Sequence, residues 1–480
     1  MRRVLPILLL AVSSCVSSPA DERHLYNLNA PADTSGPVLA SAHEWPMAGR
    51  SPDRNAVSGE MGLPVEFGGP EGKNIVWSAE LGDDTYGTPV IAGGRVFIGT
   101  NRRFRRGPAE INQGVLLCFW QRDGQPLWEA VQEKPRFPMD LCFRMGVAST
   151  PCVVGNRLYY VSGRGELVCS TTEGRPGTRD VENLWMLDLR KDLGVRLYET
   201  PLSSPLVWRS LVFILTGHGA DWTVEPPRVD NPRAPSFIAV DRLTGKVVWQ
   251  DASPGDRLRR SSRGSPALGV VDGVPQVAFP GGDGWLYAFE PATGKLLWKF
   301  NCKAHEKRES DLVPLTPVYV GHRVLVAIGG DLIPSSEAGC LRAIDARGRG
   351  DVTRTHEVWR MAGAETGEFG STLSSVAVQD GLVYVAEQWG FLDCVELETG
   401  ERVWRHDLLA TLGGSPVVAD GKVYLQTDDG EVLVYQAGRT LKLLARNVLS
   451  RAGTGTIAVA NGRLYVNGWT RLCAIEETRK

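Results

Sequence analysis

The sequence has little that would direct it to nucleic acid or into a lipid bilayer. Its 53 Lys and Arg residues are balanced by 55 Asp and Glu residues, which leaves a net charge of −2 at neutral pH. Two arginine clusters, at 102–106 and 257–263, are interpreted as solvated loop charge. Beyond the first residues, no apolar run approaches the roughly 20 residues that a membrane-spanning helix needs. We therefore expect no nucleic-acid partner, and membrane contact only through a lipid anchor.

Cysteine pairs in metal-binding or redox spacings are also absent. The chain has nine cysteines, but none is adjacent to another or in a CxxC pattern, so a zinc or thioredoxin-like site has no support. Cys118, Cys169 and Cys394 occupy one equivalent position of the repeat described below, where other copies carry Ala or Val. We expect them to be buried free thiols. Cys142 with Cys152 is the favoured disulfide, although spacing alone does not establish pairing.

What the sequence does contain is an eightfold repeat. A Ser or Thr opens a short apolar run, and a second run follows after a turn such as Asp-Gly or Asn-Gly, which is a hairpin signal. Two further runs complete most copies, and the last run usually carries a tryptophan. The eight anchors are Thr88, Thr150, Ser204, Ser265, Thr316, Ser375, Ser415 and Thr456.

Each copy is predicted to form a four-stranded antiparallel unit, which must pack on its neighbours to bury both faces. Anchor spacings run from 40 residues (Ser375 to Ser415) to 62 residues (Thr88 to Thr150), which fits blades with loop insertions. We therefore predict an all-β fold, an eight-bladed β-propeller over residues 44–480. Residues 74–81, which contain Trp77, are expected to supply the last blade's missing fourth strand and so close the ring.

The amino-terminal residues are typical of an exported lipoprotein. Two arginines precede an apolar stretch, and Val12-Ser13-Ser14-Cys15 resembles a bacterial lipobox. We expect residues 1–15 to be a signal peptide with Cys15 lipidated, and residues 16–43 to be a flexible tether. The protein would then be anchored in the cell envelope, at the outer membrane facing the periplasm. An ordinary cleaved signal is the alternative, and would make the protein periplasmic or secreted.

The repeats resemble those of the PQQ-type (quinoprotein-type) β-propeller superfamily. The pattern D-x-x-T-G-K-x-x-W is complete at Asp241–Trp249, and close copies end at Trp298 and Trp404. The resemblance covers residues 74–480 and implies the same fold. Wider text, such as WPMAGR from Trp45, is similar to exported PQQ-like proteins of planctomycete-type bacteria.

This resemblance implies two competing functions. Quinoprotein dehydrogenases hold PQQ and calcium beside an adjacent Cys-Cys disulfide, whereas this chain has no such pair, no CxxCH haem site and no matched calcium ligands or catalytic base. The propeller lipoprotein of the outer-membrane protein assembly machinery has eight blades and a lipobox, and uses no cofactor. We therefore expect a non-enzymatic binding or scaffold propeller of the cell envelope, without a cofactor. Its partner would be an envelope protein or a polysaccharide. A PQQ- and calcium-dependent alcohol or sugar dehydrogenase with an atypical site is the alternative, and a purely structural repeat protein is a third reading.

A ligand site is expected where the loops between second and third strands converge on the central funnel. These loops and nearby connections carry carboxylates, an arginine and aromatic rings that could bind a sugar, a peptide or a quinone. Each residue also has a structural reading, since Asp-Gly pairs form turns and tryptophans cover blade ends. No catalytic residue and no metal ligand is predicted. The candidate ligand-binding residues are His218, Asp221, Trp222, Arg263, Asp283, Trp285, Asp311, Asp331, Glu387 and Trp389.

Overall fold

The chain forms eight blades, each a four-stranded antiparallel sheet, as the sequence predicts. The structure is a computed structural model that describes residues 43–138, 144–304, 313–329, 339–363, 369–449, 453 and 455–478, with two paired stretches, Asn27–Leu28 and Val38–Leu39. In this part of the chain, helix is confined to Leu189–Leu193 and a 3-10 turn at Gly255–Arg257. None of these helical segments has the length and apolar character needed to cross a membrane. The eight four-stranded sheets confirm the predicted fold class, an eight-bladed β-propeller.

Within a blade, strands that follow each other in sequence pair side by side, because short turns favour antiparallel neighbours. The first four blades comprise Val90–Ala92, Arg95–Arg106, Ala109–Trp120 and Pro126–Glu133 in blade 1; Cys152–Val154, Arg157–Val161, Glu166–Thr171 and Asn183–Asp188 in blade 2; Leu206–Trp208, Leu211–Leu215, Phe237–Asp241 and Val247–Asp251 in blade 3; Ala267–Val271, Val274–Pro280, Trp285–Phe289 and Leu296–Asn301 in blade 4.

The other four blades comprise Val318–Val320, Arg323–Gly329, Cys340–Asp345 and Glu357–Ala362 in blade 5; Ala377–Gln379, Leu382–Ala386, Phe391–Glu396 and Arg402–Asp407 in blade 6; Val417–Ala419, Lys422–Gln426, Glu431–Gln436 and Leu443–Val448 in blade 7; Ala458–Ala460, Arg463–Asn467, Arg471–Glu476 and Ile75–Glu80 in blade 8. Three short strands extend blades 7, 5 and 4, namely Val57–Ser58, Val313–Pro314 and Gly350–Asp351. In blade 8 the strand from the amino-terminal side, Ile75–Glu80, pairs antiparallel with Arg471–Glu476 and places Trp77 opposite Ala474.

The repeated tryptophans join neighbouring blades. Each lies on a fourth strand opposite a small residue of the third strand, as Trp249 lies opposite Ala239. In six of these seven tryptophans the indole N–H reaches the next blade, as Trp249 Nε1 donates to the carbonyl of Pro291 at 2.8 Å. Equivalent bonds run from Trp77, Trp128, Trp185, Trp359 and Trp404 to the carbonyls of Gln121, Thr172, Arg242, Leu397 and Gly438. Trp298 Nε1 instead donates to Gln276 Oε1 of its own blade at 2.6 Å.

Three of the cysteines occupy the third-strand position opposite the tryptophan, which accounts for their small size and their burial. Cys118, Cys169 and Cys394 lie directly opposite Trp128, Trp185 and Trp404, where a larger side chain would not fit beside the ring. All three are buried free thiols, as predicted. In blade 7 the tryptophan is replaced by Ala445, opposite Val434. The described cysteines include Cys152 as a free thiol, whereas its predicted partner Cys142 lies outside the described residues.

The anchor residues form a chain of hydrogen bonds across seven of the blade seams. At six seams, the backbone N–H of one anchor donates to the hydroxyl oxygen of the anchor in the next blade, at 2.9–3.1 Å. At the seam of blades 5 and 6, Ser375 Oγ instead donates to the carbonyl of Thr316 at 3.1 Å. The repeat therefore favours Ser or Thr at this position, because in seven of the eight anchors the hydroxyl binds the adjacent blade.

Residues 43–60, which we call the axial segment, make a circuit around one end of the axis. Their backbone and side chains bond in turn to the first strands of successive blades, so that these inner edges are not left unpaired. His43 and Glu60, at its two ends, both bond to Asn461 of blade 8 and lie 2.7 Å apart. The intervening bonds join Trp45 to Ile91, Pro46 to Val153, Pro52 to Leu268, Asp53 to Tyr319, Asn55 to Val378 and Ala56 to Val418.

Arg54 completes the circuit at blade 3. The side chain is only 2% exposed, and burial lowers its pKa to about 10, so that it remains a cation at neutral pH. Its guanidinium donates only to backbone carbonyls, which suits a fork of five N–H groups. The acceptors are Pro266 at 2.8 Å, Ala48 at 2.8 Å, Ser204 at 3.0 Å and Pro205 at 3.2 Å.

Candidate functional site

The connections between strands are divided between the two ends of the ring. Turns that join first to second strands, and third to fourth strands, lie at the end covered by the axial segment, which we call the turn face. Loops that join second to third strands, and one blade to the next, lie at the opposite end, which we call the loop face. Because loops on a rigid scaffold carry most binding residues, the loop face is the candidate site.

The structure places eight of the ten predicted site residues on or at the base of this loop face. His218, Asp221 and Trp222 lie on the long connection of blade 3, and Arg263 on the connection between blades 3 and 4. Asp283 and Trp285 belong to blade 4, and Glu387 and Trp389 to blade 6. The remaining two, Asp311 and Asp331, lie outside the described residues, as does the predicted lipidation site Cys15.

Asp283 is the buried acid of blade 4. The Tyr287 hydroxyl donates to its carboxylate at 2.6 Å, and Arg257 lies 3.4 Å from the same oxygen. Burial raises the pKa of Asp283, while the hydrogen bond from Tyr287 and the charge of Arg257 act in the opposite direction. The carboxylate thereby fixes Arg257, which comes from the connection between blades 3 and 4.

Trp222 and Trp285 each carry a cation over one face. The Arg260 guanidinium lies 4.6 Å from the Trp222 ring centroid, and Lys299 Nζ lies 4.7 Å from that of Trp285. These are cation–π distances. Arg263 is held by Glu199 at 3.3 Å. Trp222 contacts Arg260 of the connection between blades 3 and 4, and Trp285 packs against residues of both blades, so these two predicted residues lie at the same seam. Arg263 instead pairs with Glu199 of the connection between blades 2 and 3. Arg260 and Arg263 had been interpreted as solvated charge.

His218 and Asp221 have structural partners within their own loop. His218 Nδ1 accepts from the Arg196 N–H at 3.0 Å, and Nε2 donates to the carbonyl of Asn231 at 2.9 Å. Burial lowers the pKa of His218, and the neutral ring uses both nitrogens to hold the backbone. Asp221 accepts from the Thr223 N–H at 3.1 Å and pairs with Arg228 at 3.2 Å. Both residues therefore shape the loop.

Blade 6 contains a buried ionic cluster built around Glu387. The carboxyl group accepts from the Gly370 N–H at 2.8 Å and pairs with Arg405. Burial, and then the neighbouring carboxyl of Asp393, raise the pKa of Glu387 to about 8. Asp393 is itself buried, with Arg402 Nε at 2.8 Å. Two carboxyl groups and two guanidinium groups thus share one site.

Asp393 belongs to a set of buried polar residues that sequence reasoning missed. The residue just before the small position opposite the tryptophan is apolar in blades 1, 2, 3, 7 and 8. In blades 4, 5 and 6 it is Tyr287, Arg342 and Asp393. Arg342 pairs with Glu357 and donates to the carbonyl of Ala304 at 2.6 Å. A comparison of the repeats at this one position would have identified the buried polar residues of blades 4, 5 and 6.

The described side chains do not fit the calcium and PQQ arrangement that the resemblance implies. Calcium takes six to eight oxygen ligands, whereas the carboxylates of Asp221, Asp283 and Glu387 are each engaged by an arginine. Across the described ranges, no three His, Cys, Asp or Glu residues converge as a metal-holding group. The sequence also lacks the adjacent Cys-Cys pair that the resemblance to quinoprotein dehydrogenases implies.

The fold and its repeats define an eight-bladed propeller of the PQQ type. The family model described as outer membrane protein assembly factor BamB matches residues 112–333 and 337–475, and the chain belongs to this family. No curated protein matches the sequence.

Solved structures agree on the fold. The chain is similar to BamB from Moraxella catarrhalis, with 18% identity and a TM-score of 0.54 over 84% of this chain and 97% of that one. It is also similar to the quinohemoprotein alcohol dehydrogenase from Comamonas testosteroni, with 13% identity and a TM-score of 0.63 over 92% and 82%. The computationally designed Ika8 protein has 13% identity and a TM-score of 0.52, over 84% and 100%. At these identities the likeness shows the fold alone.

Proposed function

We propose that the protein is a non-enzymatic binding propeller of the cell envelope that contacts its partner through the loop face. The observation that carries this proposal is the axial segment. It runs around the axis at the turn face and bonds to the inner edges of the blades there. The variable loops, with their aromatic and charged residues, are thereby left at the opposite end. Membership of the family described as an outer membrane protein assembly factor supports a role with other envelope components.

An exposed apolar pair marks one contact point on the loop face. Trp389 is 50% exposed and Leu409 is 89% exposed. The Leu408 N–H donates to the carbonyl of Gly390 at 2.8 Å, so the two exposed side chains lie on adjoining loops. Exposed aromatic and leucine side chains in one place are typical of a protein contact rather than of a solvated loop.

The test is capture of partners from an envelope extract by the purified protein. The variant Trp389→Ala with Leu409→Ala should lose captured material, because it removes exposed apolar area from the loop face. The matched control is Leu243→Ala with Val270→Ala, two exposed apolar residues, of which Leu243 lies on a turn-face connection and Val270 near the turn-face end of the first strand of blade 4. Capture that is equally reduced by both pairs, or by neither, would contradict the proposal.

We also propose that the protein is exported and held at the membrane through a lipid on Cys15. The support is the lipobox-like sequence Val12-Ser13-Ser14-Cys15. Cys15→Ser should move the protein from the membrane fraction to the soluble fraction. Retention in the membrane fraction would refute the anchor without affecting the proposed binding role.

A PQQ- and calcium-dependent dehydrogenase is the competing function. The observation that favours it is Glu387, since a carboxyl group with a pKa raised to about 8 is a frequent feature of active sites. Under that function, PQQ with calcium should raise the melting temperature and give dye-linked oxidation of an alcohol or sugar. No thermal shift at saturating cofactor would eliminate it.

A further inference from the structure

Two buried carboxyl groups of blade 6 lie close to the exposed apolar pair of the loop face. Glu387 is 2% exposed and Asp393 is 0% exposed, and Trp389 follows Glu387 on the same loop. We propose that a proton shared by Glu387 and Asp393 holds the contact surface of Trp389 and Leu409 in place, so that the partner is released at alkaline pH. This inference rests on the proposed binding function and adds its regulation.

Asp393 has a carboxylate oxygen to which no described group donates. Its Oδ1 lies 2.8 Å from Arg402 Nε and 3.7 Å from Arg405 Nε, whereas its Oδ2 is buried and has no hydrogen-bond partner. Such an unpaired acceptor is costly in a protein interior. A proton on the Glu387 carboxyl group would supply the missing donor, as in other pairs of carboxyl groups that share one proton.

The surroundings of Glu387 favour its protonated form. Burial, and then the hydrogen bond and charge of Asp393, raise the pKa of Glu387 to about 8, while Arg405 and the Gly370 N–H act in the opposite direction. Burial also raises the pKa of Asp393, which the bond with Glu387 and the charges of Arg402 and Arg405 lower. Glu387 therefore keeps the shared proton at neutral pH, and both groups are ionised only above about pH 8.

The elements packed around the pair contribute a thioether, a backbone N–H and a histidine. Blade 5 brings Met361, whose Sδ lies 3.8 Å from a guanidinium nitrogen of the cluster. The connection between blades 5 and 6 brings the Gly370 N–H, which donates to Glu387 Oε2 at 2.8 Å. His406 of the fourth strand is turned toward blade 7, where its Nδ1 lies 2.8 Å from the Tyr435 hydroxyl. Because the arginines stay charged, the charge that changes at the cluster between pH 7 and 9 is that of Glu387.

Glu387 is joined to the same backbone turn that carries Trp389. The Gly390 N–H donates to the carbonyl of Glu387 at 3.0 Å, and the Glu387 N–H donates to that of Phe391 at 2.8 Å. A Cβ on Gly370 would lie 2.7 Å from Glu387 Oε2 and 3.9 Å from Trp389 Cδ1, so these residues are packed together. Loss of the shared proton would place two carboxylates side by side, and their repulsion would displace the Glu387 side chain and loosen the turn.

The expected loss of affinity follows from the fraction of molecules that hold the proton. With a pKa of about 8, about nine tenths of Glu387 is protonated at pH 7 and about one tenth at pH 9. When only the protonated form presents the contact, the apparent dissociation constant rises in inverse proportion to that fraction. Binding through Trp389 and Leu409 should therefore weaken about ten-fold from pH 7 to pH 9.

The first experiment follows Trp389 itself in the purified full-length protein. The tryptophans are replaced by fluorotryptophan, and the fluorine NMR signal of Trp389 is assigned by its absence in Trp389→Phe. In the wild type this signal should move with a midpoint near pH 8. Glu387→Gln should abolish the movement, because the amide has no proton to lose and can donate to Asp393 at every pH. The matched control is Asp221→Asn, a loop-face carboxylate whose pKa is lowered by the hydrogen bond from Thr223, and its Trp389 signal should move as in the wild type.

A Trp389 signal that stays fixed in the wild type, or that moves equally in Glu387→Gln, would overturn the inference. The second experiment repeats the envelope capture at pH 7 and pH 9. At limiting protein concentration, the wild type should capture about ten-fold less at pH 9, whereas Glu387→Gln should capture equally at both pH values. Equal capture by the wild type at both pH values would overturn this inference and leave the proposed function intact. Capture at neither pH would contradict the proposed function, and this inference with it.

Discussion

Arg54→Met should destabilise the propeller by an amount that can be worked from its contacts. The substitution keeps an unbranched apolar stem and deletes four hydrogen bonds to carbonyls, among them those of Pro266 and Ser204. At roughly 1.5–3 kcal/mol for each bond from a charged donor, the sum is roughly 6–12 kcal/mol. Burying the cation costs several kcal/mol, which the methionine no longer incurs. We expect a net loss of about 3–5 kcal/mol in the free energy of unfolding.

The assay is denaturant unfolding of wild-type and variant proteins, combined with limited proteolysis of the native state. Arg54→Met should lower the unfolding midpoint and expose residues 43–60 to cleavage, because the axial segment loses its hold on blade 3. Arg209→Met is the matched control, since Arg209 is exposed on the turn face and should cost less than about 1 kcal/mol. A loss below about 1 kcal/mol for Arg54→Met, with no new cleavage, would refute the role given to the axial segment.

Two further predictions concern the buried cluster and the blade seams. The pKa of Glu387 is about 8 in the folded protein and about 4.3 in an unfolded chain, so the folded state holds an extra proton between these values. Stability should therefore fall by about 1.4 kcal/mol per pH unit as pH rises from 5 to 8. Glu387→Gln should reduce this slope in thermal unfolding at several pH values; an unchanged slope would contradict it. Gly400 and Gly381 have φ of +74° and +77°, but a Cβ would lie 2.6 Å from the Trp359 ring only at Gly400. Gly400→Ala should thus lower the melting temperature clearly more than Gly381→Ala; equal effects would show that the tryptophan does not require the glycine.

The repeat made the fold predictable because each of its signals corresponds to a contact between blades. The hydroxyl of Ser265 accepts from the N–H of Ser204, and Trp249 reaches the turn of the next blade. Such contacts recur in most blades, so they leave a periodic trace in the sequence. The same periodicity placed Cys394 in a packing position opposite Trp404.

The axial segment could not be predicted in this way. Its bonds use backbone groups of residues such as Pro46 and Ala56, which leave no side-chain pattern. Arg54 binds carbonyls, which every residue possesses, and so its partners have no sequence signature. A segment that contacts each blade once is not itself a repeat.

The candidate site was only partly predictable for a related reason. Loop position was correctly inferred for Trp222, Asp283 and Glu387, because the repeat fixes where loops begin. The partners of these residues come from other elements, as Arg260 does for Trp222. The contacts of a loop residue depend on how the connections between blades fold over the seams. The repeat carries no information on the conformation of these connections.

The most direct test of the account is photo-cross-linking in cells from one position on each face. A photoreactive residue replaces Leu409 on the loop face or Leu243 on the turn face, both exposed leucines. We predict cross-linked envelope partners from position 409 and none from position 243. Partners captured from position 243 alone would contradict it, because the turn face would then be the binding surface.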